Sequence, residues 1–98
     1  MPFVILTEDK PDSLALRQAT RAAHLEYVDG FLDKLLAAGG LIEDDGTGGT
    51  GGLIILDVED RQSAEDYIAN DPFTKAGLFA KVTITRWRKA YFDFQKLI

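Results

Sequence analysis

The chain has 98 residues, 46% hydrophobic and 28% charged, so it is expected to fold as a single globular domain over residues 1–98. Its formal net charge of −5 argues against nucleic acid or an anionic membrane surface as the main partner. It has no cysteine and a single histidine, which excludes disulfides, thiolate metal sites and cysteine nucleophiles and leaves no ordinary set of zinc ligands.

The chain opens with a predicted strand that leads into a long predicted helix. The β-rich run Phe3–Leu6 follows an N-terminus without a cationic region or cleavage signal, and no apolar run is long enough to span a bilayer, so we expect a cytoplasmic protein. Apolar residues recur at the helical period from residue 14 to about residue 38, and Gly39-Gly40 is expected to end that helix. Asp12 or Ser13 is expected to cap its N-terminus.

Three basic side chains lie along this helix: Arg17, Arg21 and His24 are spaced by four and then three residues, which places them within about 60° of one another. Arg21 falls inside the apolar stripe, so this face is expected to overlook a wet cleft, because an unpaired buried charge is costly. There the imidazole can transfer protons near neutral pH, and the arginines can bind a carboxylate or a phenolate. The alternatives are a histidine with no chemical role and arginines that pair with Asp12 or Glu8.

The middle of the chain is predicted to hold two strands joined by a glycine-rich loop. Leu41-Ile42 is expected to open the second strand, and residues 43–52 contain five glycines and three acids. This loop matches no phosphate-binding fingerprint, because no helix pattern follows it and its acids repel phosphate. It is expected to be a flexible connection or a lid over a ligand. The apolar run Leu53–Val58 is typical of a central strand.

A shorter helix and a last strand complete the predicted order. Ser63, with Asp66 forming a capping box, is expected to begin a helix that ends near Ala69. Lys81–Trp87 alternates apolar and polar residues, as a strand does, and an aromatic-rich tail follows it. The order β-α-β-β-α-β predicts an α+β, ferredoxin-like antiparallel sheet with both helices on one face. The other face needs a cover, for which a second subunit, and hence a homodimer, is expected.

The tripeptide Asp71-Pro72-Phe73 holds a carboxylate at a conformationally restricted turn. Asp71 is interpreted as a helix N-cap, as an acid–base partner of His24, or as both, because one carboxylate oxygen can serve each role. Phe73, like Phe79 and Trp87, either stacks on a substrate or packs in the core or a dimer interface.

Six motifs follow one another along nearly the whole chain. They are Asp9-Lys10-Pro11, Arg17-x-x-x-Arg21-x-x-His24-Leu25-x-Tyr27, Gly39-Gly40-Leu41, Gly51-Gly52-Leu53-Ile54, Asp71-Pro72-Phe73-x-x-x-Gly77-Leu78-Phe79 and Trp87. Together they resemble the YCII-related (YciI-like) family of small dimeric α+β barrel proteins.

That resemblance implies a ferredoxin-like homodimer whose active site lies where His24 meets Asp71. It also implies a reaction class for one branch of the family, which eliminates hydrogen chloride from a chlorinated hydroxyquinol. The chain departs from the family pattern at Ile42-Glu43, where relatives often carry Gly-Pro at the rim of the pocket.

Three function classes follow from these residues. The first is a cofactor-independent lyase or isomerase in which His24 and Asp71 move a proton, while Arg17, Arg21 and Phe73 bind a small anionic substrate, aromatic or enolisable. The second is a small-ligand binding module that uses the same pocket without turnover. The third is an accessory dimer. No cofactor or metal is expected in any of them.

Overall fold

Four strands form one antiparallel sheet in the computed structural model, which describes all 98 residues. Strand β1 (Phe3–Asp9) lies at its centre, between β3 (Gly51–Leu56) and β4 (Phe79–Arg86), and β2 (Leu35–Leu41) pairs with β3 at one edge. Every pairing is antiparallel, so the strand order β2-β3-β1-β4 is that of the predicted ferredoxin-like α+β fold.

Three helices and a small hairpin complete the chain. Helix α1 (Leu14–Asp29) follows β1, and α2 (Arg61–Ala69) and the short α3 (Pro72–Lys75) lie between β3 and β4. After β4 the tail forms a separate hairpin of β5 (Tyr91–Phe92) and β6 (Gln95–Lys96). No helix has the length and the apolar character needed to cross a membrane.

The core lies between one face of the sheet and α2. Side chains alternate across a strand, so Phe3 and Ile5 of β1 lie on the same face of the sheet as Ile54 and Leu56 of β3, and this face is buried. The buried cluster consists of Phe3, Ile5, Ile54 and Leu56 from the sheet and Ala64, Tyr67 and Ile68 from α2. Helix α1, in contrast, has no buried residue.

The predicted extent of the first helix was wrong. The helix ends at Asp29 rather than near residue 38, and two successive turns, Phe31 N–H to Val28 C=O and Lys34 N–H to Phe31 C=O, lead into β2. The leucines of residues 35 and 36 fit a helical stripe as well as a strand, and pairing with β3 decides between them. Gly39-Gly40 therefore lies inside a strand that Leu41 closes, although the prediction made it a helix stop and placed the strand's start at Leu41-Ile42.

Local capping also differs from the prediction at α2. Its N-cap is Asp60, whose carboxylate accepts a hydrogen bond from Ser63 N–H at 2.8 Å, so Ser63 lies in the first turn. These contacts with Ser63 lower the pKa of Asp60. No capping box forms, because the Asp66 carboxylate accepts from Gln62 instead. Aspartate is as favourable as serine at the N-cap position, so Asp60 can take this position ahead of Ser63.

The strand ends shift by a few residues as well. Strand β1 continues to Asp9, beyond the predicted end at Leu6, and β4 begins at Phe79 and ends at Arg86, one residue before Trp87. The backbone N–H of Trp87 instead donates to Pro2 C=O at 2.9 Å. Ladder hydrogen bonds on both sides of β1 extend it into the polar stretch that the sequence pattern treats as a loop.

Gly51 marks a place where the sheet tolerates no side chain. It was predicted to lie in the loop, but it opens β3, and a Cβ atom built on it would overlap the backbone carbonyl of Thr7. At Gly39, in the edge strand β2, an added Cβ meets nothing within 4 Å. Two strand glycines therefore differ sharply in the space around them.

We expect Gly51→Ala to lower the free energy of unfolding by about 1–3 kcal/mol or more, since the strand must shift to relieve the overlap. Gly39→Ala, the matched control, should stay within about 0.5 kcal/mol of the parent. Urea denaturation of the three proteins measures both effects. Equal stability of the two variants would contradict the close approach of β1 and β3 at Gly51.

Candidate active site

A cavity of about 510 Å³ lies between α1 and the buried face of the sheet. Arg17, Arg21 and His24 line it from α1, as their phase on the helix predicts, and Ile54 and Phe79 line it from the strands. The volume is within the range of small-molecule sites, and a few polar groups in an otherwise apolar lining are typical of them. The cavity replaces the packed core that a helix usually has beneath it.

His24 and Asp71 meet at this cavity. His24 Nδ1 lies 2.9 Å from Asp71 Oδ1 and 3.0 Å from Oδ2. The aspartate side chain is 1% exposed and the histidine side chain 20% exposed. An ionised carboxylate can only accept a hydrogen bond, so the hydrogen is assigned to Nδ1, which leaves a lone pair on Nε2. Nε2 makes no hydrogen bond with the protein.

Asp71 is held in place because it is also a helix cap. Its Oδ1 accepts from Phe73 N–H at 2.9 Å, and Pro72 occupies the first position of α3, as the motif predicts. The cap and the imidazole contact therefore hold the carboxylate from two sides. The two interpretations of Asp71 from sequence are thus compatible in one geometry.

Phe73 orients the imidazole. Its ring stacks on that of His24 with centroids 4.0 Å apart and planes 15° apart, and the guanidinium carbon of Arg17 lies 4.8 Å from its centroid. Phe79 contacts it edge to face at 6.1 Å. Phe73 is buried and also lines the cavity. It therefore packs in the core and forms part of the cavity wall.

Arg17 is engaged by the protein itself. Its Nε donates to Asp9 Oδ2 at 2.6 Å, and its Nη2 donates to Asp9 Oδ1 at 3.1 Å and to Gly51 C=O at 3.2 Å. The alternative from sequence paired it with Asp12 or Glu8, but strand alternation places Asp9 on the helix side with Thr7. Extending the alternation of β1 by three residues beyond Leu6 would have found this partner.

Arg21, in contrast, is exposed, lines the cavity and forms no ion pair. The two arginines of the motif therefore differ in what they can do. The first ties α1 to β1 and β3 and keeps only Nη1 without a hydrogen bond. The second has its whole guanidinium available for an anion.

The glycine-rich loop forms part of the cavity wall. Gly48 and Gly49 line the cavity, and a Cβ atom on Gly49 would come within 2.8 Å of Arg17 Cδ. Glycine at this position lets the loop lie against the arginine side chain. No cluster of three or more acidic or histidine side chains converges to hold a metal ion.

Sequence reasoning missed Tyr67. Its side chain lines the cavity from α2 and is 2% exposed, and its hydroxyl has no hydrogen-bond partner. Burial, reinforced by the charge of Asp71 and then by Tyr27, raises its pKa strongly. Tyr27 is also shifted upward in pKa, mainly by burial, and its hydroxyl donates to the Tyr67 carbonyl at 2.8 Å. The signal in the sequence was the spacing of Ala64, Tyr67 and Ile68 along one helix face.

Comparisons with known proteins identify the family of this chain. Residues 1–88 match the sequence model of the YCII-related domain. An uncharacterised protein of Haemophilus influenzae is 34% identical, and the protein YciI of Escherichia coli is 33% identical; each match covers 93% of this chain and all of the relative.

Two solved structures resemble the fold. The 5-chloro-2-hydroxyhydroquinone dehydrochlorinase TftG of Burkholderia phenoliruptrix, in complex with 2,5-dihydroxybenzoquinone, superimposes with a TM-score of 0.83 at 38% identity, over 90% of this chain and 94% of its own. An antibiotic biosynthesis monooxygenase has a TM-score of 0.54 at 15% identity, over 91% of this chain and all of its own, and shows the fold alone.

The geometry predicts the tautomer of His24. At a pH where the imidazole is neutral, ¹⁵N NMR should show the proton on Nδ1 in the parent. In Asp71→Asn we expect it on Nε2, because the amide oxygen continues to cap Phe73 and the amide NH₂ then faces Nδ1 as a donor. The control is Asp66→Asn, because Asp66 is an exposed residue of α2. This substitution should leave the tautomer of His24 unchanged. A parent protonated on Nε2 would contradict the assignment.

Proposed function

The chain belongs to the YCII-related family, and from that premise we propose that it is a cofactor-independent lyase or isomerase that moves a proton on a small anionic ring substrate. The observation that carries the proposal is the contact of His24 Nδ1 with the buried Asp71 carboxylate, which leaves Nε2 free at a cavity of suitable size. A single imidazole set in this way is a general base with a fixed orientation.

His24 is the proton carrier in this proposal. Nε2 accepts a proton from an acidic hydroxyl of the substrate, and the imidazolium that forms is stabilised by Asp71. Stacking on Phe73 helps to keep the imidazole ring of His24 in the orientation in which Nδ1 contacts the Asp71 carboxylate. Asp71 orients the imidazole and balances its charge.

Arg21 binds the anionic oxygen of the substrate. Its guanidinium is exposed at the cavity and has no acidic partner, so it offers a full charge to a phenolate or an enolate as it forms. Arg17 contributes through its remaining Nη1 and by holding the wall of the cavity. Phe73 contributes an apolar part of the cavity wall next to His24.

TftG supports a substrate class, since it is 38% identical and acts on a chlorinated hydroxyhydroquinone. We propose hydroxylated hydroquinones that carry a halogen. His24 takes a hydroxyl proton and returns one to the ring carbon that bears the halogen. Halide then leaves that carbon with the bonding electrons, a second hydroxyl loses its proton, and the ring becomes a quinone. The products are the quinone, halide and a proton, so no external oxidant is consumed.

The outer face of the sheet is the proposed homodimer interface. Val4, Leu6, Leu53 and Ile55 lie opposite one another in β1 and β3 on the side away from the helices. Leu6 is 43% exposed although it sits on a central strand. An apolar sheet face of this kind fits a second copy of the same chain.

We expect His24→Gln to lower kcat for release of chloride from 5-chloro-2-hydroxyhydroquinone by about 10²–10⁴-fold, the usual contribution of a general base. Its affinity for 2,5-dihydroxybenzoquinone should stay within about threefold of the parent, because the cavity keeps its shape. Chloride release and calorimetry measure the two quantities. Glu26→Gln, exposed on α1 and outside the cavity, is the control.

The same measurements decide between function classes. If the parent binds the quinone but shows no turnover, the protein is a ligand-binding module rather than an enzyme. If the parent neither binds the quinone nor turns over the substrate, an accessory role is the remaining function class. Turnover that survives His24→Gln would overturn the proton-carrier assignment.

For the interface, Leu6→Lys should shift the sedimentation of a dimer to that of a monomer, because it places a charge in the centre of an apolar contact. Leu32→Lys is the matched control, since Leu32 is 71% exposed and lies outside the sheet. A parent that sediments as a monomer at micromolar concentration would refute the dimer.

A further inference from the structure

We propose that the Tyr67 hydroxyl is a second hydrogen-bond anchor of the cavity, donating to a carbonyl or hydroxyl oxygen on the side of the substrate ring away from Arg21. This inference rests on the proposed function, because it concerns the same site and the same class of ligand. Arg21 is exposed at the α1 side, and Tyr67 is buried at the α2 side. A ring that reaches both must carry oxygen at both ends.

The Tyr67 hydroxyl is isolated within the protein. Tyr67 is 2% exposed, and its Oη is shielded from solvent without any hydrogen-bond partner in the protein. It is the one buried side-chain polar atom of the chain in this condition. Buried polar groups are nearly always hydrogen-bonded, and an exception calls for an explanation. A ligand oxygen supplies the missing acceptor.

The neighbouring Tyr27 differs from Tyr67 in its hydrogen bonding. The two rings contact each other with centroids 5.5 Å apart, yet the Tyr27 hydroxyl is satisfied by the backbone carbonyl of Tyr67. Tyr27 is absent from the lining of the 510 Å³ cavity, which Tyr67 does line. Of two adjacent tyrosines, the one at the cavity is the one without a partner.

The environment of Tyr67 also favours the protonated phenol. The raised pKa of Tyr67, caused first by burial and next by the charge of Asp71, keeps the phenol protonated and therefore a donor. The same Asp71 charge disfavours a second full negative charge close by. The hydroxyl therefore suits a carbonyl or hydroxyl oxygen, whereas Arg21 suits the anionic one. The site would then recognise a ring with oxygens on opposite sides and set its orientation toward His24.

The test is Tyr67→Phe, which removes only the hydroxyl. Calorimetry with 2,5-dihydroxybenzoquinone should show a loss of affinity of about tenfold or more, since one net hydrogen bond of this strength is at stake. Catechol, whose two oxygens are adjacent, should lose less than about twofold. An equal effect on the two ligands, or no effect on the quinone, would overturn the anchor.

Thermal unfolding without ligand separates this role from a structural one. Because Tyr67→Phe removes a buried group that has no partner, the unfolding midpoint should rise by about 4 °C or more. Tyr27→Phe, the matched control, should lower the midpoint, since it leaves the Tyr67 carbonyl without its donor, and should keep quinone affinity within about twofold. A Tyr67→Phe protein with a lowered midpoint would assign the hydroxyl to the fold and refute the proposal.

The anchor and the proposed reaction can fail separately. A parent that binds the quinone without releasing chloride refutes the reaction, while the loss of affinity in Tyr67→Phe still supports the anchor. Turnover by the parent with unchanged quinone affinity in Tyr67→Phe refutes the anchor and leaves the reaction intact.

Discussion

The buried carboxylate of Asp71 is the constraint on which the site depends. A charge at 1% exposure is costly unless hydrogen bonds compensate for the lost water, and here Phe73 N–H and His24 Nδ1 provide them. The first bond starts α3 and the second fixes an imidazole on a different helix. One side chain therefore determines both where a helix begins and which nitrogen of the histidine is left without a hydrogen bond.

Polar contacts of this kind also hold helix α1, beside the packing of Tyr27 against the core. It has no buried residue, and its ties to the rest of the chain include His24 to Asp71 and Arg17 to Asp9 and Gly51. These contacts lie on one side of the helix, seven residues apart. They hold α1 above the sheet with a cavity between, where apolar packing alone would have drawn the two together. The arrangement combines a firm position for the catalytic candidate with space for a substrate.

The sequence predicts the architecture and the elements of the site better than the boundaries. The apolar runs of β1 and β3, the alternation in β4 and the order of the elements were enough for the sheet, and the spacing of Arg17, Arg21 and His24 was enough for a common face. The end of α1 could not be predicted, because the leucines and alanines of residues 35–38 fit a helix and an edge strand equally well. Tyr67 escaped notice because a tyrosine on the core face of a helix signals packing, and only the missing partner of its hydroxyl distinguishes it.

A helix without a buried residue also changes what the native state consists of. A chain of 98 residues buries little apolar surface when it folds, and the cavity beneath α1 reduces that surface further. A molecule bound there becomes the missing layer of the core, so it stabilises folding in proportion to the logarithm of its concentration above its Kd. The stability of the folded protein would therefore rise with the concentration of any molecule that the proposed site binds beside Ile54 and Tyr67 of the buried cluster.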